Sequence, residues 1–75
     1  MNKITAKQEF LITQFIMTSK SNGVSHLFAA LPKNHHLLAD KKVRQIRVVT
    51  DALASGLDEL GNYVVLTPEG LVKQL

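Results

Sequence analysis

The side chains best suited to chemistry in this chain are cations, and they cluster. Lys41, Lys42, Arg44 and Arg47 fall within one short segment, with Gln45 among them and Lys33 a little upstream. Arginine can pair two donors with a guanine edge, and a glutamine amide can do the same for adenine. Lysines suit phosphates, which position a protein on nucleic acid without reading its sequence. Lys33, Lys41, Lys42, Arg44, Gln45 and Arg47 are therefore the candidate DNA-binding residues. A solvated charged face is the alternative for any such cluster. His35 and His36 follow Lys33 and could donate hydrogen bonds beside it. Adjacent histidines do not share a helix face, His26 is remote in sequence, and there is no cysteine, which argues against a metal site.

Catalysis is not expected. The chain has no glycine-rich phosphate loop and no nucleophile elbow. Its serines and acids sit in contexts that local backbone hydrogen bonding explains. With 75 residues there is little room for a substrate pocket. No cofactor is implied, and the expected activity is binding.

Composition points the same way. A chain this short buries only about 60% of the surface its unfolded form exposes, and without cysteine no disulfide can compensate. Apolar packing must hold it, and a 45% hydrophobic content makes that feasible. Three phenylalanines and one tyrosine leave a core made mostly of Leu, Val, Ile and Ala. The net charge of +3 favours a polyanionic partner. The opening residues are too polar for a signal peptide, and no apolar run approaches the ~20 residues of a membrane helix. A cytoplasmic protein without a membrane partner is expected.

The elements that must position these groups are divided by turn signals. Residues 5–20 predict a helix, with Thr5 as its cap and Gln8 at the capping-box spacing. Phe10, Leu11, Ile12, Phe15 and Ile16 give it a broad apolar stripe, ended by Ser21-Asn22-Gly23. Val24, Leu27, Phe28 and Leu31 recur at helical spacing and predict a short second helix over 24–31, closed by Pro32. Residues 41–55 predict a third, with Val43, Ile46, Thr50 and Leu53 on its inner face and Gly56 just past its end. Leu57–Leu60 and Tyr63–Leu66 then predict two short strands around Gly61-Asn62. Thr67-Pro68-Glu69-Gly70 predicts the start of a last short helix that includes Leu71, Val72 and Leu75.

This order resembles the winged helix-turn-helix domains. Val43 to Leu57 is similar to their third helix, with Leu53-Ala54-Ser55-Gly56-Leu57 close to a common Leu-x-x-x-Gly-Leu ending but one residue shorter. Leu66-Thr67-Pro68-Glu69-Gly70 is similar to the Leu-Thr-x-x-Gly element after a wing. The likeness covers residues 43–75. Two features depart from it: the link from Pro32 to Asp40 is long for a helix-turn-helix, and Asp58 and Glu59 place acids on the wing. The resemblance implies a single α+β, mostly α domain over 1–75, with three helices, a two-stranded wing and a short C-terminal helix. It also implies a sequence-selective transcriptional regulator that docks its third helix in the major groove of double-stranded DNA. A compact regulator of this size is the kind expected in a phage, a prophage or a bacterial mobile element.

Helix one carries more apolar residues than a small trihelical core usually hides. Phe10, Ile12 and Ile16 are thus the candidate surface for a homodimer or another partner. The alternative function is a protein-interaction module that inhibits or adapts a host protein without binding DNA, because fold does not fix function.

Overall fold

The structure, a computed structural model, describes residues 4–24, 26–46 and 52–74. It begins with α1 (Ala6–Ser21). Thr5 Oγ1 accepts the Gln8 amide proton at 3.0 Å, and Gln8 Oε1 accepts that of Thr5 at 3.0 Å. Two of the helix's orphan donors are thereby satisfied reciprocally, as the capping-box spacing predicts. At the other end Gly23 adopts φ 82°. Its N–H donates to Lys20 O at 3.1 Å, and that of Val24 reaches back to Ser19 O at 2.9 Å. This is the Schellman closure, which needs a left-handed residue and so favours glycine.

Beyond α1 the winged-helix expectation is overturned. The described residues form five strands: β1 (His26–Ala29), β2 (Val43–Gln45), β3 (Ala54–Leu57), β4 (Tyr63–Leu66) and β5 (Val72–Gln74). They make one sheet in the order β2-β1-β3-β4-β5, with β1 and β2 parallel and the other pairs antiparallel. Among the described residues this is one α-helix on a five-stranded mixed sheet.

The predicted second helix is β1. An eight-residue segment between a helix-ending glycine and a proline is too short to sustain a helix without strong packing. Its apolar residues also satisfy a period of two, and Leu27, Ala29 and Leu31 are the buried ones. The predicted third helix is not present among the described residues: 43–45 are strand β2 and 54–57 are β3, while 47–51 lie outside them. Val43, Ile46, Val48, Val49 and Thr50 give this stretch many β-branched side chains, which lose freedom in a helix and fit a pleated surface. Gly56 is a buried mid-strand residue and not a helix stop.

The predicted closing helix is a turn followed by β5. Proline at the second position and glycine at the fourth suit a type I turn as well as a helix start. Gly70 decides it with φ 88°. Its N–H donates to Thr67 O at 2.9 Å, and Thr67 N–H to Leu71 O at 3.0 Å. The β3–β4 connection uses the same device. Gly61, φ 82°, donates to Asp58 O at 3.1 Å, while Asp58 N–H donates to Asn62 O at 3.1 Å. Both hairpins therefore close with a turn and a bulge-forming glycine. Of the predicted first wing strand only Leu57 is in β3, because Asp58 opens the turn.

Parallel strands need a crossover of about a dozen residues. Residues 30–42 supply it and contain a 3-10 turn (His36–Ala39). It lies beside α1 on one face of the sheet. Leu37 and Leu38 pack against the core, Lys20 Nζ donates to Asp40, and His35 Nε2 lies 3.5 Å from Glu9 Oε2. Ile12, Phe15 and Ile16 of α1 meet Leu27, Ala29, Val43, Ala54 and Leu66 of the sheet. Close approach at the centre requires Gly56: a Cβ there would stand 2.6 Å from Val24 Cγ1 and 2.9 Å from Leu27 Cδ2.

Candidate nucleic-acid interface

Side chains alternate across a strand, so the register defines both faces of the sheet. Val43, Leu27, Gly56 and Val64 share one row and point toward α1. The next row, Arg44, Phe28, Ser55, Val65 and Lys73, crosses all five strands and points the other way. His26, Leu57 and Tyr63 form the adjacent row on that same face. Lys42 extends it at the β2 end, where its carbonyl accepts the Leu27 N–H at 3.2 Å.

Apolar residues surround a buried central serine, Ser55, the margins are basic, and among the described residues no element covers this face. Arg44, Lys73, His26 and Lys42 are exposed, and Phe28, Leu57 and Val65 are half-buried. Tyr63 is 41% exposed. Its hydroxyl donates to Ser55 Oγ at 3.3 Å. Ser55 stands diagonally across on β3, so the phenol lies along the sheet instead of standing off it. The hydroxyl ends beside the Phe28 column, about one strand spacing (~5 Å) away.

No known protein family, curated protein or solved structure matches the chain. Its chemistry has to be read from its own geometry.

Among the described residues the acids lie elsewhere. Glu9 faces His35, and Asp40 is held by Lys20 and by the Lys42 N–H at 2.9 Å. Those contacts, the Lys20 hydrogen bond foremost, keep the Asp40 carboxyl below its ordinary range. Asp58 organises its own turn, accepting from Asn62 N at 2.7 Å and Leu60 N at 3.0 Å. The Asn62 backbone N–H is the main reason its carboxyl is also held low. Glu59 reaches toward Gly23, at the end of α1.

The predicted DNA-binding residues are dispersed by this fold. Arg44 sits on the open face and Lys42 at its margin, and Lys41 is exposed in the same turn. Gln45 falls on the α1 side of the sheet by register, and its amide donates to Leu31 O. Lys33 is exposed where the chain leaves β1, at the opposite end of the parallel pair from Lys41 and Lys42. Arg47 lies outside the described residues. Of the three candidate partner residues, Ile12 and Ile16 are fully buried against the sheet, and Phe10 is 59% exposed.

His35 is a core residue of the crossover. Its Nδ1 accepts the Leu37 N–H at 3.2 Å, which leaves Nε2 as the donor toward Glu9. His36 stacks on it with ring centroids 4.4 Å apart. Among the described residues no three potential metal ligands gather, and no helix is long and apolar enough to cross a membrane.

Sequence reasoning did not single out Phe28, Tyr63, His26 and Lys73 as one surface. The signal was the alternation in Tyr63-Val64-Val65-Leu66, with Val64 and Leu66 inward and Tyr63 and Val65 outward. Extending it to Phe28 and Lys73 requires the strand order, which no local pattern carries.

Proposed function

We propose that this protein is a small nucleic-acid-binding module whose contact surface is the open face of the sheet. The observation that carries the reading is the arrangement on that face: Phe28 and Tyr63 bordered by Lys42, Arg44, His26 and Lys73, with Glu9, Asp40 and Asp58 engaged elsewhere and Glu59 and Glu69 in the hairpin turns. Cations neutralise phosphates and release counterions, and aromatic faces accept bases. The recognition-helix mode has no element to perform it among the described residues. Regulation by occupying a nucleic-acid target remains the role such a module would serve.

The test is fluorescence anisotropy with labelled oligonucleotides at about 50 and 200 mM salt. Three or four phosphate contacts predict affinity falling about 20- to 50-fold over that range on a single strand, and somewhat more on a duplex. Combined Arg44→Ala and Lys73→Ala substitution is expected to flatten the salt dependence without unfolding the protein, since both side chains are exposed. No binding at low salt, or binding indifferent to both substitutions, would defeat the proposal.

A second reading rests on a different surface. Phe10 (59% exposed) and Met17 (61% exposed) lie on the outer side of α1 with Gln14 between them. An apolar stripe at this spacing suits a protein partner. It predicts that Phe10→Ser with Met17→Ser abolishes biological activity while leaving oligonucleotide binding intact.

A further inference from the structure

Three surfaces of this fold could meet nucleic acid, and their shapes select among its forms. The first is α1. Its outer stripe is Lys7, Phe10, Gln14 and Met17, and Lys20 in its last turn is paired with Asp40. Among the described residues two lysines, one of them tied to Asp40, and one glutamate leave this helix too little positive charge for a major groove lined by phosphates. The second is a hairpin used as a two-stranded ribbon. The β3–β4 tip carries Asp58 and Glu59 and the β4–β5 tip carries Glu69, so each would bring an acid first to the backbone.

The third surface is the open face. Five strands at about 4.8 Å spacing make it roughly 19 Å wide, against about 12 Å for the major groove of duplex DNA. A duplex could rest only its backbone there. Its bases, stacked inside, could not reach Tyr63 or Phe28. A single strand can turn its bases onto the sheet while its phosphates follow the basic margins.

We infer that the open face binds single-stranded nucleic acid, with a base stacked on Tyr63 and a second over Phe28, and the backbone running across the strands between Arg44 and Lys73. This rests on the nucleic-acid reading above and specifies its ligand. The hydrogen bond from Tyr63 to Ser55 holds the phenol along the sheet, so little side-chain freedom is lost when a base settles on it. Phe28 lies beside Ser55 in register, which places the two aromatic platforms next to each other across the sheet. Arg44 and Lys73 occupy the ends of that same row, where the strand would enter and leave.

The chain offers its own reporter. It has one tyrosine and no tryptophan, so its tyrosine emission reads position 63 alone. The experiment titrates full-length protein with oligothymidylate, with oligouridylate and with a mixed-sequence duplex. Each is about 12 nucleotides long, within the ~4–16 that small single-strand-binding domains cover. Single strands are expected to bind at least about tenfold tighter than the duplex and to quench Tyr63. Tyr63→Leu should weaken single-strand binding by about 5- to 150-fold, the worth of one stacked base. Its salt dependence should be unchanged, and Tyr63→Phe, which keeps the ring but not the hydrogen bond to Ser55, should recover most of the affinity. The thymidylate and uridylate arms separate DNA from RNA.

Equal or tighter binding of the duplex would overturn the single-strand inference and leave the nucleic-acid reading standing. So would single-strand binding without quenching and with Tyr63→Leu unaffected. Absence of binding to every oligonucleotide overturns both.

Discussion

Asp58 carries the densest local hydrogen bonding in the described chain. One carboxylate oxygen accepts from the Leu60 and Asn62 backbones and the other from the Asn62 side chain, at 3.1 Å. Each favours the charged form, so the folded-state pKa is depressed. A depressed pKa means that the stabilisation is present above the unfolded value and is lost as pH falls through the folded one. Asp40 behaves alike through Lys20 and the Lys42 N–H. Asp58→Asn should lower the urea midpoint at neutral pH, and its deficit against the parent should shrink as pH falls below the ordinary carboxylate value and close only beneath the depressed folded one, where both side chains are uncharged. A deficit that persists at low pH would place the effect in the shape of the turn and not in its charge. Gly56 gives a second test at this scale. With Val24 Cγ1 2.6 Å from the position of an added Cβ, Gly56→Ala overpacks the sheet centre and is expected to cost about 1–3 kcal/mol, read from a lower denaturation midpoint. Had this glycine been a helix stop, the space would have been open.

At the level of elements, α1 was legible because its signals are local and redundant. Thr5 and Gln8 satisfy one another across three residues, Gly23 closes the other end, and the apolar residues between them repeat for four turns. Thr5→Ala removes the cap and should cost about 1 kcal/mol, measured by chemical denaturation. Strand β4 was legible for a similar reason, since Tyr63-Val64-Val65-Leu66 is β-branched and aromatic. The rest was not, because its local signals fit two structures. Val24, Leu27, Phe28 and Leu31 match a helix, while Leu27, Ala29 and Leu31 match a strand. The choice falls to a partner, β3, that arrives more than twenty residues later. Thr67-Pro68-Glu69-Gly70 opens a helix or a type I turn with equal ease until Gly70 takes a positive φ. The candidate site suffered most from this ambiguity. On a helix Arg44 and Gln45 lie close enough to act together; on β2 they point to opposite faces. The apolar excess on helix one also has a plain cause. A helix laid on a sheet buries Ile12 and Ile16 without a second copy, and Ile16→Ala should cost about 2–5 kcal/mol of folding stability.

For the whole molecule, the sheet order implies a gradient of stability that bears on binding. β1 and β3 are central, each paired on both sides and covered by α1. β5 is an edge strand with every residue exposed, held by β4 and a single turn. Backbone hydrogen bonds with little buried cover open most readily. Amide exchange of the free protein should therefore be fastest at Val72–Gln74 among the strands and slowest in β1 and β3. Yet Lys73 on that loose edge is one end of the proposed binding row. A single strand bridging Arg44 and Lys73 would tie the edge to the centre, because its attraction to Lys73 is lost whenever β5 detaches. Adding oligothymidylate should then slow exchange in β5 by a larger factor than in β1 or β3. Protection confined to β1 and β2 would mean that the ligand stops short of the far edge. The Arg44 half of the row would then carry binding, and Lys73→Ala would leave affinity unchanged.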